Sequence, residues 1–169
     1  MGKRMNKKNA EQSKIQLWNS LIELLETNSY AELTIKKIVQ HSGFSRKTFY
    51  KHFKRKDDLF DYGCRRMFNL FIQDYTQSLP VRQDRDYYFK LLIDFHWKQK
   101  LIIRLLIKRK IYQRFIEILQ NQVTDFNLDY QIISNSRDPL KNKFRVSFIV
   151  GGISGTLVTW LSGILVTEN

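Results

Sequence analysis

A lone cysteine, Cys64, rules out an internal disulfide and any paired-thiol metal or redox motif. With only 2 Pro and 7 Gly in 169 residues, the chain lacks the frequent turn punctuation that strand-rich domains need. Its first residues are polar and basic, without the apolar stretch of a signal peptide, so a reducing cytoplasmic compartment is expected. Acidic residues are scarce overall, 16 against 29 Lys and Arg, and wholly missing between Leu33 and Lys56. What remains is a chain 43% apolar, with 12 Phe, 8 Tyr and 3 Trp, which excludes a disordered tail and provides enough apolar surface for a core. The formal charge of +13 favours a polyanionic partner, either nucleic acid or an anionic membrane surface.

Periodicity points to an all-α fold. Residues 1–9 carry no apolar repeat and read as a flexible basic arm. Ile15, Trp18, Leu21, Ile22 and Leu25 recur at helical spacing, predicting a first helix that ends near Thr27 to Ser29. Thr34 is placed to cap a short second helix with Ile35, Ile38 and Val39 inward, stopping at Ser42-Gly43. After the plug Phe44, Ser45 caps a third helix that runs to about Phe53, with Phe49 and Phe53 on its buried side. Asp57 and Asp58 suit the first turn of a long fourth helix that reaches towards Pro80. Val81 to Asp86 reads as a linker. Helical segments follow around Tyr87 to Phe95, Trp97 to Ile107 and Ile111 to Phe126, and Asp138-Pro139 opens a last long helix.

Enzymatic chemistry finds no constellation. His41, His52 and His96 stand at unrelated spacings, no helical His-x-x-x-His or Glu-x-x-His pair exists, and phosphate-cradling glycine loops and a Gly-x-Ser-x-Gly elbow are absent. No catalytic residue, metal site or cofactor is therefore assigned.

The acid-free stretch holds eight basic residues: Lys36, Lys37, Arg46, Lys47, Lys51, Lys54, Arg55 and Lys56. A solvated helix face normally mixes signs, so one sign over two short helices and their Gly-containing turn fits a surface for phosphates. The run Leu33-Thr-Ile-Lys-Lys-Ile-Val-Gln-His-Ser-Gly-Phe-Ser-Arg-Lys-Thr-Phe-Tyr-Lys-His-Phe-Lys-Arg-Lys-Asp-Asp-Leu59 resembles the signature of the tetracycline-repressor (TetR) family of bacterial regulators. The likeness lies in the Thr-Ile opening, the Gly-x-Ser turn, Thr-Phe-Tyr-x-His-Phe and the Lys-x-x-Leu that starts the next helix.

That resemblance implies an N-terminal three-helix helix-turn-helix DNA-binding domain at 10–55 and a C-terminal helical-bundle dimerisation and sensing domain at 56–169. Arg46, Lys47 and Thr48, directly after Ser45, then occupy the part of the recognition helix that meets base edges, with Arg46 the candidate for guanine. Lys51, one turn beyond Lys47, reaches base or backbone. Tyr50, His52 and Lys56 match the family's phosphate contacts, and Thr34 and Lys36 its backbone contacts from the second helix. The expected partners are double-stranded DNA, a second copy of the chain and, with room in the body, a small-molecule effector. Repression at a palindromic operator is the expected mode, with activation through protein contacts as the alternative.

From Val146 to Thr167 no residue is charged, and four glycines punctuate the run. Phe148, Gly152, Gly155 and Trp160 are the candidate dimer contacts, and their pattern is similar to the branch that includes dihydroxyacetone-kinase regulators. The chain stops soon after Trp160-Leu161, where many relatives continue. Gly151-x-x-x-Gly155 and the flanking Lys141, Lys143 and Arg145 also have features of a membrane helix, so a membrane-associated basic helical protein is the rival of another class. Ser147, Ser154, Thr156, Thr159 and Ser162 and the glycines dilute the hydrophobicity of the run, and no membrane partner is assigned. The aromatics Phe71, Tyr75, Tyr88, Phe89, Phe95, Trp97, Tyr112 and Phe115 are expected to form core rather than a ligand cavity.

Overall fold

A computed structural model describes residues 2–78, 85–130 and 138–167. The chain divides into two compact units, Met1–Cys64 and Arg65–Asn169, and the fourth helix crosses the division. All the regular elements described are helices: α1 (Gly2–Leu25), α2 (Ile35–Ser42), α3 (Arg46–His52), α4 (Lys56–Ser78), α5 (Arg85–Lys98), α6 (Lys100–Lys108), α7 (Tyr112–Tyr130) and α8 (Pro139–Thr167).

In the first unit α1 begins at Gly2, so residues 2–9, read as an arm, continue the helix. Lys, Met, Ala, Glu and Gln propagate a helix without any apolar stripe, which is why periodicity gave no sign of it. The caps follow short-range chemistry. Lys37 donates its backbone N–H to Thr34 Oγ1 at 3.2 Å, and Thr48 donates its own to Ser45 Oγ at 3.2 Å. Gly43 ends α2 at φ 73, a left-handed conformation that costs a residue without Cβ nothing. The next amide, that of Phe44, reaches back to the Val39 carbonyl at 3.0 Å.

Leu17, Leu21, Leu25, Leu33, Ile38, Phe49, Leu59 and Phe60 are buried between these helices. Each such side chain contributes roughly 1.5–3 kcal/mol relative to exposure. Phe60 receives two aromatic edges, from Trp18 at 6.0 Å and Tyr30 at 5.5 Å between ring centroids. Gln16 of α1 donates to the Ser42 carbonyl at 3.1 Å and fixes the C-terminus of α2. At the start of α4, Asp58 accepts from the amides of Lys54 (3.0 Å) and Arg55 (2.9 Å), the reach-back half of a capping box.

The second unit comprises the rest of α4 with α5 to α8. Phe68, Phe71, Phe95 and Phe115 form its aromatic centre, with Phe95 at 5.4 Å from Phe68, 5.2 Å from Phe71 and stacked on Phe115 at 6.2 Å. Lys110 turns the chain from α6 to α7 at φ 57, and the amide of Ile111 closes the turn on the Leu106 carbonyl at 2.9 Å. Asp138 caps α8, accepting from Leu140 N at 2.9 Å, with Pro139 as the first helical residue. Of the segment read as a linker, 81–84 lie outside the described residues and α5 starts at Arg85.

Candidate nucleic-acid interface

Helix α3 is seven residues long and turns one aromatic inward: Phe49 is fully buried, 5.7 Å from Phe53, which in turn lies 5.5 Å from Tyr62. Helical spacing then decides the remaining directions. Arg46, Lys47, Tyr50 and Lys51 are exposed, Tyr50 to 57%, while Thr48 and His52 are half-buried. Ser45 is exposed at the cap, and its hydroxyl lies 3.1 Å from that of Thr48, which fixes the Thr48 side chain against the helix start. Thr34 and Lys36 of α2 are also exposed. Of the cationic and hydroxyl side chains singled out from the sequence, α3 thus carries Arg46, Lys47, Thr48, Tyr50 and Lys51, while Thr34 and Lys36 lie at α2 and Lys56 at the start of α4.

Lys56 sits differently from its expected phosphate role. Its ammonium donates to the carbonyls of Tyr30 and, at 2.7 Å, Leu33, and lies 4.1 Å from the centre of the Tyr30 ring. Burial lowers its pKa, partly offset by Asp57. Two of its three donors tie the start of α4 to the α1–α2 connection, which leaves one for any other partner. Lys37 likewise spends a donor on Asn28 Oδ1 at 3.3 Å.

His52 is held below its ordinary pKa by burial first, then by the charges of Lys51 and Lys14, so its imidazole is neutral near pH 7. Lys14, on α1, is a part of this basic surface that the sequence reading missed. It lies outside the acid-free stretch, packs its ammonium 4.7 Å from the centre of the Tyr62 ring and pairs with Glu11. Among the described residues no group of three or more His, Cys, Asp or Glu could hold a metal ion.

In the second unit the four residues singled out on α8 are exposed: Phe148 to 75%, Trp160 to 46%, and both Gly152 and Gly155. Trp160 stacks on Trp97 of α5 at 5.2 Å, and Lys100 lies 4.1 Å from the centre of the Trp97 ring. Of the aromatics expected as core, Phe71, Phe95 and Phe115 are buried, but Phe89 and Trp97 are 43% and 50% exposed. Tyr75 and Tyr88 have side chains outside the described set. Pro139–Leu161 is long and apolar enough to cross a membrane by length and composition alone. The same helix buries Val146, Val150, Ser154 and Leu161 in the unit.

His96, 1% exposed, joins α5 to α8. Its Nδ1 lies 2.8 Å from the Leu92 carbonyl, which can only accept, so Nδ1 carries the proton and Nε2 accepts from Ser154 Oγ at 3.2 Å. Burial lowers the pKa of His96 and pushes that of Tyr112 up to about 12.

The model of bacterial regulatory proteins of the tetR family matches residues 20–62, which hold both short helices and their caps. The fold is similar to Lin0861 from Listeria innocua, with a TM-score of 0.67 at 16% identity over 87% of this chain and 79% of that one. It is also similar to a TetR transcriptional regulator from Streptococcus agalactiae, with a TM-score of 0.54 at 21% identity over 98% of this chain and 97% of that one. No curated protein matches the chain. The chain thus carries a stretch, residues 20–62, that matches the tetR-family model, followed by helices throughout the described remainder.

Proposed function

We propose that the chain binds a palindromic operator as a homodimer and represses transcription by occupying the promoter. The observation that carries this reading is the exposed face of α3, where Arg46, Lys47, Tyr50 and Lys51 project from a helix anchored by buried Phe49. A helix of this size enters the major groove, and its first residues meet base edges.

In this reading Arg46 pairs bidentately with guanine, Lys47 and Lys51 reach base or backbone, and Thr48 touches a thymine methyl or a phosphate. Tyr50 and neutral His52 donate to phosphate, as do Lys36 and Thr34 from α2, while Ser45 holds the start of the helix. Lys56 contributes at most its one remaining donor and acts chiefly as a brace.

One short recognition helix grips few bases, so two copies are needed to place two such helices on successive turns. Phe148, Gly152, Gly155 and Trp160 are the contacts proposed between the copies. The likeness to dihydroxyacetone-kinase regulators rests on the Phe148 to Leu161 pattern, with Gly152, Gly155 and Trp160-Leu161. A small-molecule effector acts in this scheme by binding one dimer geometry more tightly than another, and DNA affinity changes by that difference. Such a regulator works in the cytoplasm.

Sequencing the genomic fragments retained by the purified chain, with a promoter reporter for the sign of regulation, tests the proposal. Retention of an inverted repeat and a reporter that rises when the chain is removed are the expected results. Fragments without common sequence contradict operator reading, and a reporter that falls contradicts repression.

A further inference from the structure

Three side chains of α1 and α4 meet beside the C-terminal end of α3. Glu11 and Lys14 stand three residues apart on α1, and their carboxylate and ammonium pair. The other carboxylate oxygen of Glu11 accepts from the Tyr62 hydroxyl of α4 at 2.6 Å. Lys14 lies 4.7 Å from the centre of the Tyr62 ring, so the ring face carries the ammonium while the hydroxyl holds the acid next to it. Tyr62 in turn packs 5.5 Å from Phe53, and Phe53 6.2 Å from His52, which joins the cluster to the last residue of α3. The charges of Lys14 and Glu11 act on the His52 imidazole from α1, as that of Lys51 does from α3 itself.

Resting on the DNA-binding reading above, we infer that Lys14 is a further phosphate-binding residue, supplied by α1 beside His52, and that Glu11 is its resident competitor, displaced by the phosphate. Glu11 and Lys14 both lie outside residues 20–62, the stretch that matches the tetR-family model.

Donor count and access favour an anion here. An ammonium has three donors, and among the described residues Lys14 gives one to Glu11. The side chains of Lys14 and Glu11 are 27% and 44% exposed, so a phosphate oxygen can reach the pair from solvent. An ion pair that open to water is weak, and an oxyanion can take the ammonium from it while the Tyr62 hydroxyl still holds Glu11.

Charge gives Glu11 its meaning. In residues 1–22 it is the single acid against five Lys and Arg, in a chain of +13. A lone carboxylate on such a surface opposes a polyanion. Its place between Lys14 and Tyr62 sets the long Lys14 stem against the ring before DNA arrives, and less rotamer freedom is then lost on contact. A phosphate carries no base identity, so both residues act on all duplexes alike.

Anisotropy titrations of the full chain on a duplex of random sequence, at several salt concentrations, test this. Glu11→Gln keeps an acceptor for the Tyr62 hydroxyl and removes the competing charge, so it should bind about three- to tenfold more tightly. Adding Lys14→Met to it should abolish that gain and lower the slope of log affinity on log salt by about 0.9, one phosphate contact. Lys14→Arg should keep the slope of the unmodified chain. Thermal midpoints should change little throughout, because the pair is exposed.

An equal slope in Glu11→Gln and in the double variant would overturn the phosphate contact and leave DNA reading by α3 standing. A lowered midpoint with an unaltered slope would do the same, assigning Lys14 to the fold alone. Weaker binding by Glu11→Gln would overturn the competitor role. An unmodified chain without salt-dependent affinity for any duplex would overturn this inference and the DNA-binding reading together.

Discussion

The indole of Trp18 occupies the space that a side chain at residue 63 would need, since a Cβ on Gly63 would stand 2.0 Å from the ring. Helices α1 and α4 meet inside the first unit only because Gly63 offers no atom there. Gly63→Ala should therefore destabilise the unit by about 1–3 kcal/mol, the usual cost of overpacking. Thermal unfolding of the full chain, read at the Trp fluorescence of that unit, checks it, and an unchanged midpoint would refute the packing argument.

Lys56 is expected to behave as a brace. Lys56→Met keeps the apolar stem and removes two hydrogen bonds to carbonyls, so stability should fall by about 1–3 kcal/mol. Specific and random-sequence DNA binding should weaken together, and the slope of log affinity on log salt should change by clearly less than one phosphate contact, about 0.9. An unaltered melting midpoint with a full unit lost from the slope would restore the plain phosphate role.

Tyr50 and Lys51 separate hydrogen bonding from charge. Tyr50→Phe removes only a hydroxyl from an exposed ring, so affinity for all duplexes should drop about fivefold with the salt slope intact. Lys51→Ala should reduce that slope by about one. Filter-binding titrations at several salt concentrations measure both, and a steepened base preference in Tyr50→Phe would contradict a backbone contact.

His96 predicts a pH dependence. Its pKa in the fold lies below the unfolded value of 6.5, so the unfolded chain binds more protons in the interval between the two. The stabilisation is fully present above pH 6.5 and declines as the pH falls towards the folded-state pKa. His52 is shifted in the same direction and adds to the effect. In His96→Gln, which can still donate to Leu92 O and accept from Ser154, the decline in midpoint between pH 7 and 5 should be smaller than in the unmodified chain. An identical decline would show that His96 is protonated equally in both states.

Local chemistry made the head legible. Thr34, Gly43 and Ser45 set helix ends through hydrogen bonds and a backbone angle spanning three or four residues, and such signals survive in any one sequence. The same holds for Asp138-Pro139 at the start of α8. Trp18 against Gly63, Lys56 against the carbonyls of Tyr30 and Leu33, and Trp97 against Trp160 join residues far apart in the chain, and no spacing rule reports them. The place of Lys56 in a one-sign run gives no sign of its two carbonyl acceptors, 26 and 23 residues away. Lys14 escaped notice because pairing with Glu11 removed it from any such run. Helix α1 reached back to Gly2 because polar residues with good propensity extend a helix that the apolar stripe has already nucleated.

Selection of duplexes from a random pool, run side by side on the unmodified chain and on Arg46→Ala, tests the central claim most directly. The account predicts an inverted repeat whose half-sites lie about 10 base pairs, or a multiple of that, apart. In Arg46→Ala the same repeat should persist with preference lost at one symmetric pair of G·C positions, at a cost of about 1–3 kcal/mol. Recovery of identical motifs from both proteins, or of no symmetric motif from either, would contradict it.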